Sequence, residues 1–171
     1  MIISLMGYMG SGKSAAASRL AQDLSVRFID LDNAIEGNQK KSISEIFLES
    51  GPIRFRKIEK EVLIQILNSG NDFVLALGGG TPAYYDNFEL IRKHSQTVYL
   101  RTKISTLAKR LESQKESRPL LSHLNSDELP EFVAKHLFER KIFYEAADFT
   151  VDTDDKTILE ISAEITRLLR Q

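Results

Sequence analysis

Residues 7–14, Gly-Tyr-Met-Gly-Ser-Gly-Lys-Ser, match the spacing of a phosphate-wrapping loop, G-x-x-x-x-G-K-[ST]. Glycines let backbone N–H groups converge on phosphate oxygens, and a helix starting at the loop's end adds its partial positive charge. In that arrangement Lys13 neutralises the β and γ oxygens of a nucleoside triphosphate, and Ser14 supplies a hydroxyl to Mg²⁺. Asp30 and Asp32 offer one carboxylate for the metal's shell and one for an acceptor hydroxyl; equally, either caps a helix beginning near Asn33. Gly78-Gly79-Gly80 implies close approach of a ligand, unusual dihedrals, or simply a tight turn. Arg56 and Glu59 share one helix face, as do Arg140 and Tyr144; the two planar guanidinium forks either converge on an anion or only solvate their helices. Arg118, held beside Pro119, either swings over a nucleotide or is an exposed loop arginine.

The elements that would position these groups follow from hydrophobic period. Short apolar runs at 2–6, 26–30, 73–77, 97–100 and 149–151 alternate with longer segments of helical period, the pattern of a parallel sheet with helices on both faces. Helices are expected from Lys13, over 42–49 with a Ser42/Glu45 capping box, from Gly51-Pro52 to about Asn68, and over 84–94, 104–112, 130–147 and 157–170. The phosphate loop then follows the first strand, Asp30 ends the second and the triple glycine follows the third. All lie at the carboxyl edge, where open α/β sheets bind ligands. The stretch 113–125 is polar, then broken by Pro119, and a loop of that length is either a mobile functional lid or simply disordered. His94, His123 and His136 lack metal-ligand spacing and read as surface or lid residues. Tyr84-Tyr85 reads as core and helix packing rather than a base-stacking platform.

Composition narrows the function classes. The 171 residues suit one domain, with no repeat and no low-complexity segment. A formal net charge of -1 argues against a nucleic-acid surface, so any anion site is local. No cysteine is present, which excludes thiolate metals, cysteine nucleophiles and disulfides. No apolar segment approaches the roughly 20 residues that span a bilayer, and the N-terminal apolar run is too short for a signal peptide. A cytoplasmic monomer without membrane or nucleic-acid partners is the expectation.

Taken in order, the motifs resemble the shikimate kinases. Gly7 to Ser14 is followed by Phe28-Ile29-Asp30-Leu31-Asp32 with Ile35-Glu36, then by Gly51 and Phe55-Arg56-Lys57-Ile58-Glu59. Gly78-Gly79-Gly80, Arg118-Pro119-Leu120-Leu121, and Arg140 with Tyr144-Glu145-Ala146-Ala147-Asp148 complete the set. The resemblance implies a three-layer α/β/α P-loop kinase with a five-stranded parallel sheet, a helical substrate-binding region at about 32–60 and a mobile lid at about 112–125. It implies transfer of the ATP γ-phosphoryl group to the 3-hydroxyl of shikimate, on the route to chorismate and the aromatic amino acids.

Residue by residue, the resemblance assigns ATP to Gly10, Ser11, Gly12, Lys13, Ser14 and Ala15, with Arg118 from the lid. Shikimate falls to Asp32, Arg56, Gly78, Gly79 and Arg140, the two arginines clamping its carboxylate and Gly79 meeting a ring hydroxyl. Mg²⁺ falls to Ser14 and Asp30, catalysis to Lys13, Asp32 and Arg118, and the orientation of Arg56 or a substrate hydroxyl to Glu59. Three features depart from the family pattern, the first being the adenine-side arginine, which usually lies slightly closer to the lid motif than Arg110 does here. Lys57 stands where arginine is frequent, and the loop Thr153-Asp154-Asp155-Lys156, which should border adenine, is acidic. Other small-molecule kinases, such as gluconate or nucleoside monophosphate kinases, lack the joint Asp32, Arg56, Gly79 and Arg140 set. A nucleotide-driven switch would have no use for an acceptor site, and a kinase domain kept only for binding would not need Lys13, Ser14, Asp32 and Arg118 intact.

Overall fold

The computed structural model describes residues 1–115, 118 and 120–170. Its five strands are β1 (Ile2–Met6), β2 (Arg27–Asp30), β3 (Phe73–Ala76), β4 (Gln96–Arg101) and β5 (Phe149–Asp152). They form one parallel sheet in the order β2-β3-β1-β4-β5. The expected strands agree to within a residue at each end; the central strands β3, β1 and β4 are short apolar runs that both faces of the sheet bury, while the edge strands β2 and β5 stay partly exposed. Alternate side chains of one strand feed opposite layers. Ile3 and Leu5 of β1 and Val74 and Ala76 of β3 pack against Ala16, Ala17 and Leu20 of α1 (Lys13–Leu24) and Ile161 and Ile165 of α7 (Ile158–Leu168). Met6, Phe73 and Leu75 point the other way, into a core completed by α3 (Ile43–Leu67), α4 (Asn87–His94), α5 (Ile104–Glu112) and α6 (Leu129–Glu145).

Because β1 lies between β3 and β4, the chain leaves it toward one edge of the sheet and later returns to the other side. That reversal opens a crevice at the carboxyl end of β1. The register brings Met6, Ala76 and Asp30 close to one level, so the segments that follow them meet there. Asp148 fastens the β4 side by accepting from both the backbone N–H and the hydroxyl of Thr97, at 2.8 and 2.7 Å.

Two local features shape the region that follows β2. Asp30 caps α2 (Leu31–Gln39) through Oδ1, which accepts from the N–H groups of Asp32 and Asn33 at 3.0 and 3.2 Å. In α3 the Ser42/Glu45 capping box forms as expected, and the helix then breaks at Gly51, whose φ of 75° and ψ of 172° no other residue adopts readily. Pro52 opens the second half, and Arg56 follows one turn later.

The helix expected over 84–94 starts later. Thr81–Ala83 forms a single 3-10 turn, Tyr84 is extended and Tyr85 is left-handed at φ 53°, so α4 begins only at Asn87. Its Nδ2 donates to the Thr81 carbonyl at 2.9 Å, closing the turn. Among the described residues no helix is long and apolar enough to cross a membrane.

Candidate active site

Lys13 lies buried at the foot of the phosphate loop, its Nζ donating to the carbonyls of Gly7 and Tyr8 at 2.9 and 3.0 Å. Burial pulls its pKa down to about 8, against the opposing pull of the Asp32 charge. Ser14, one residue on, donates through Oγ to Asp30 Oδ2 at 2.6 Å. Asp30 thus takes the helix-cap alternative with one oxygen, while its other oxygen faces the loop hydroxyl.

Asp32 stands on the first turn of α2 and keeps solvent contact across the open cleft, although protein surrounds it on its other sides. That burial, reinforced by the negative charges of Asp30 and Glu59, pushes its carboxyl up to about 6. Glu59 is 1% exposed and held at both oxygens. Arg56 Nη1 donates to one at 2.8 Å and Thr81 Oγ1 to the other at 2.7 Å. Thr81 was invisible to sequence reasoning, since a lone threonine after a glycine run has no signature of its own.

Close approach explains the triple glycine, and the groups that approach belong to the protein itself. A Cβ on Gly78 would sit 2.8 Å from Thr81 Oγ1 and 3.2 Å from Asp32 Oδ1, and one on Gly79 would sit 3.2 Å from the Met9 backbone nitrogen. On Gly80 it would meet Arg56 Nη2 at 2.7 Å. The run is therefore the surface on which Asp32, the phosphate loop and Arg56 are brought together. Tyr144 donates to the Gly79 carbonyl and stacks on Tyr99 at 5.2 Å, and burial raises its hydroxyl's pKa well above the ordinary value. Arg140, one turn earlier on α6, is buried and lines the same cleft.

Two clefts result. One, of about 420 Å³, runs from Gly10–Ala15 past Asp30 to Arg110, Thr153, Lys156 and Ile158. The other, of about 390 Å³, is walled by Glu36, Phe47, Phe55, Arg56, Glu59 and Arg140. Met9, Asp32, Gly78, Gly79 and Arg118 line both. Arg118 is half-buried at this junction, its guanidinium donating to Gln114 Oε1 at 2.8 and 3.2 Å. Pro119 lies outside the described residues, as do Glu116 and Ser117 of the expected lid. Leu121 is fully buried and anchors the segment's far end, while Leu120 lines the acceptor cleft.

The far end of the first cleft is where Arg110, whose spacing departs from that of the family's adenine-side arginine, comes to lie. Arg110 reaches it from α5, donating to the Gly10 carbonyl at 3.0 Å. In the acidic loop Asp154 is held, accepting from the Lys103 N–H and the Thr106 hydroxyl, while Asp155 is exposed and Lys156 pairs outside the loop with Glu164 at 2.5 Å. Lys57 points to solvent.

Two expectations need correction. His136 is neither surface nor lid: its Nδ1 lies 2.8 Å from the buried Tyr8 hydroxyl, and burial with the nearby Arg140 charge lowers its pKa to about 4. Tyr84 and Tyr85 are not core residues. Both are exposed, and each ring receives a cation, Arg56 at 4.0 Å and Lys60 at 5.4 Å. The left-handed Tyr85 turns the pair away from α4 and toward α3.

Comparison with known proteins agrees with this geometry. The family model described as shikimate kinase matches residues 9–170. The shikimate kinase of Flavobacterium psychrophilum is 43% identical over 168 residues, covering 98% of both chains, and that of Parabacteroides distasonis is 37% identical over 171 residues, with 98% coverage of both. The crystal structure of shikimate kinase from Bacteroides thetaiotaomicron superposes with a TM-score of 0.92 at 34% identity, covering 100% of this chain and 99% of that one. Shikimate kinase from Acinetobacter baumannii, solved in complex with shikimate, gives a TM-score of 0.90 at 30% identity, with coverage of 98% and 92%. Phosphate loop, junction and arginine-lined second cleft thus occur in a chain that belongs to the shikimate kinase family.

Proposed function

We propose that the chain, working as a cytoplasmic monomer and one domain, transfers the γ-phosphoryl group of ATP to the 3-hydroxyl of shikimate, giving shikimate 3-phosphate and ADP. The observation that carries this reading is the junction: Asp32, Gly78, Gly79 and Arg118 line both clefts, so a phosphoryl donor in one and an acceptor hydroxyl in the other meet there. ATP enters along Gly10 to Ala15, its phosphates received by loop N–H groups and Lys13. Arg56 and Arg140, both lining the second cleft, clamp the acceptor carboxylate.

With both bound, the 3-hydroxyl oxygen bonds to the γ phosphorus as the bond from that phosphorus to the β,γ-bridging oxygen breaks. ADP departs with the bridging oxygen. The hydroxyl proton passes to the Asp32 carboxylate, which at neutral pH is mostly ionised with a pKa of about 6. Lys13 and Arg118 spread the charge that develops on the transferred group.

Ser14 Oγ and Asp30 Oδ2, 2.6 Å apart, are oxygen donors of the kind Mg²⁺ takes, and would hold it directly or through water. No group of three acidic or histidine side chains among the described residues forms a cage of its own, which suits an ion that arrives with ATP and neutralises its phosphates. ADP release, measured with Mg-ATP and with shikimate, gluconate or nucleoside monophosphates in turn, tests the assignment. Turnover dependent on shikimate and abolished by EDTA is expected; equal stimulation by the other acceptors would discard the acceptor assignment while leaving the ATP site.

A further inference from the structure

We propose that Tyr84 is a positioning residue for the acceptor, fixing through its ring the direction in which Arg56 presents its donors to the carboxylate. The inference rests on the proposed role of Arg56. Tyr84 is exposed and not among the residues lining either cleft, so it acts through the arginine rather than on the substrate.

The Arg56 guanidinium is held by four contacts, the most distant being the Phe55 ring, whose centroid lies at 5.0 Å. The guanidinium's central carbon stands 4.0 Å from the centroid of the Tyr84 ring, the geometry in which a cation is held by the negative face of an aromatic. Nη1 donates to Glu59 at 2.8 Å, and Nη2 lies over Gly80, where a Cβ would be 2.7 Å away. One face and one edge are thus committed, and the side chain is only 14% exposed. An arginine held this way loses little freedom on binding an anion, whereas one held only by Glu59 would still rotate about that contact.

The backbone around Tyr84 is built to deliver the ring. Tyr84 is extended at φ -114° and ψ 140° at the end of the 3-10 turn, and the left-handed Tyr85 redirects the chain so that Asp86 pairs with Lys60. Lys60 follows Arg56 by one turn of α3, so consecutive cations on one helix face meet consecutive aromatic rings of the turn. The Asn87 bond to the Thr81 carbonyl ties the turn back to the triple glycine. Arg56, Gly80 and Tyr84 therefore move as one unit.

The test compares shikimate affinity by calorimetry, and KM for shikimate and ATP, in Tyr84→Leu, Tyr84→Phe, Arg56→Ala and the double variant Tyr84→Leu/Arg56→Ala. Tyr84→Leu should weaken shikimate roughly threefold to thirtyfold. KM for ATP should move by less than about twofold, and Tyr84→Phe, which keeps the ring, should restore parental affinity. In the Arg56→Ala background, removing the ring should add nothing. Unchanged shikimate affinity in Tyr84→Leu, equal weakening of both substrates, or a full additional loss in the double variant would overturn the inference. If Arg56→Ala itself leaves shikimate affinity unchanged, the clamp falls and takes this inference with it; if Arg56→Ala weakens shikimate and Tyr84→Leu does not, only the positioning role fails.

Discussion

Asp32 concentrates the chemistry at the scale of one residue. Burial and the charges of Asp30 and Glu59 raise its pKa to about 6, high enough to accept a proton usefully and low enough to be ionised at neutral pH. The kcat/KM profile should therefore lose activity as pH falls through about 6, and Asp32→Asn should bind Mg-ATP while losing about 10²–10⁴ in turnover. Parental turnover in that variant would remove Asp32 from proton transfer. The same shift has a consequence for stability. A carboxyl whose pKa is higher folded than unfolded favours folding at low pH, and that advantage is lost as pH rises from about 4 through about 6. Asp32→Asn should accordingly melt above the parent at pH 7, with a smaller difference at pH 5. An equal difference at both values would mean that the ionised carboxylate is not under strain.

Gly51 governs the element that carries Arg56. Its φ of 75° and ψ of 172° break α3 in two, so the second half sets off from Pro52 in a new direction and brings Arg56 and Glu59 over the triple glycine. Gly51→Ala would place a Cβ in a region that is essentially glycine's alone, at a cost of about 1–3 kcal/mol. Denaturant midpoints should fall accordingly. Because no atom lies within 4 Å of that Cβ position, the loss comes from backbone strain rather than collision. Any weakening of substrates beyond the stability loss should fall on shikimate and leave ATP unaffected. Equal weakening of both would show that the break serves the whole fold and not the acceptor side.

Across the whole molecule, the two clefts share their floor and Arg118. Arg118 lines both clefts at their junction, with burial lowering its pKa from the ordinary arginine value. Arg118→Ala should reduce kcat by about 10²–10³, as expected for loss of one preorganised donor to the developing charge. Shikimate KM should change far less. A proportional loss in shikimate affinity and turnover would instead make Arg118 part of the acceptor clamp.

Much of this protein was determined by its sequence alone. Five short apolar runs placed all five strands, because their alternation with stretches of helical period is the pattern of a parallel sheet covered by helices. The phosphate loop, the Ser42/Glu45 capping box and the break at Gly51 were also legible, since each depends on neighbours a few residues away. Tertiary structure decided everything that depends on which segments meet. That Gly78, Gly79 and Gly80 accommodate Asp32, the phosphate loop and Arg56 follows from the packing of β3 beside β1 and β2. Thr81 behind Glu59, Arg110 against Gly10, His136 beneath Tyr8 and Tyr84 over Arg56 are contacts between residues 22, 100, 128 and 28 positions apart. Local propensity acts over a turn of helix or a strand, and contacts at those separations are set only when the sheet order brings their elements together.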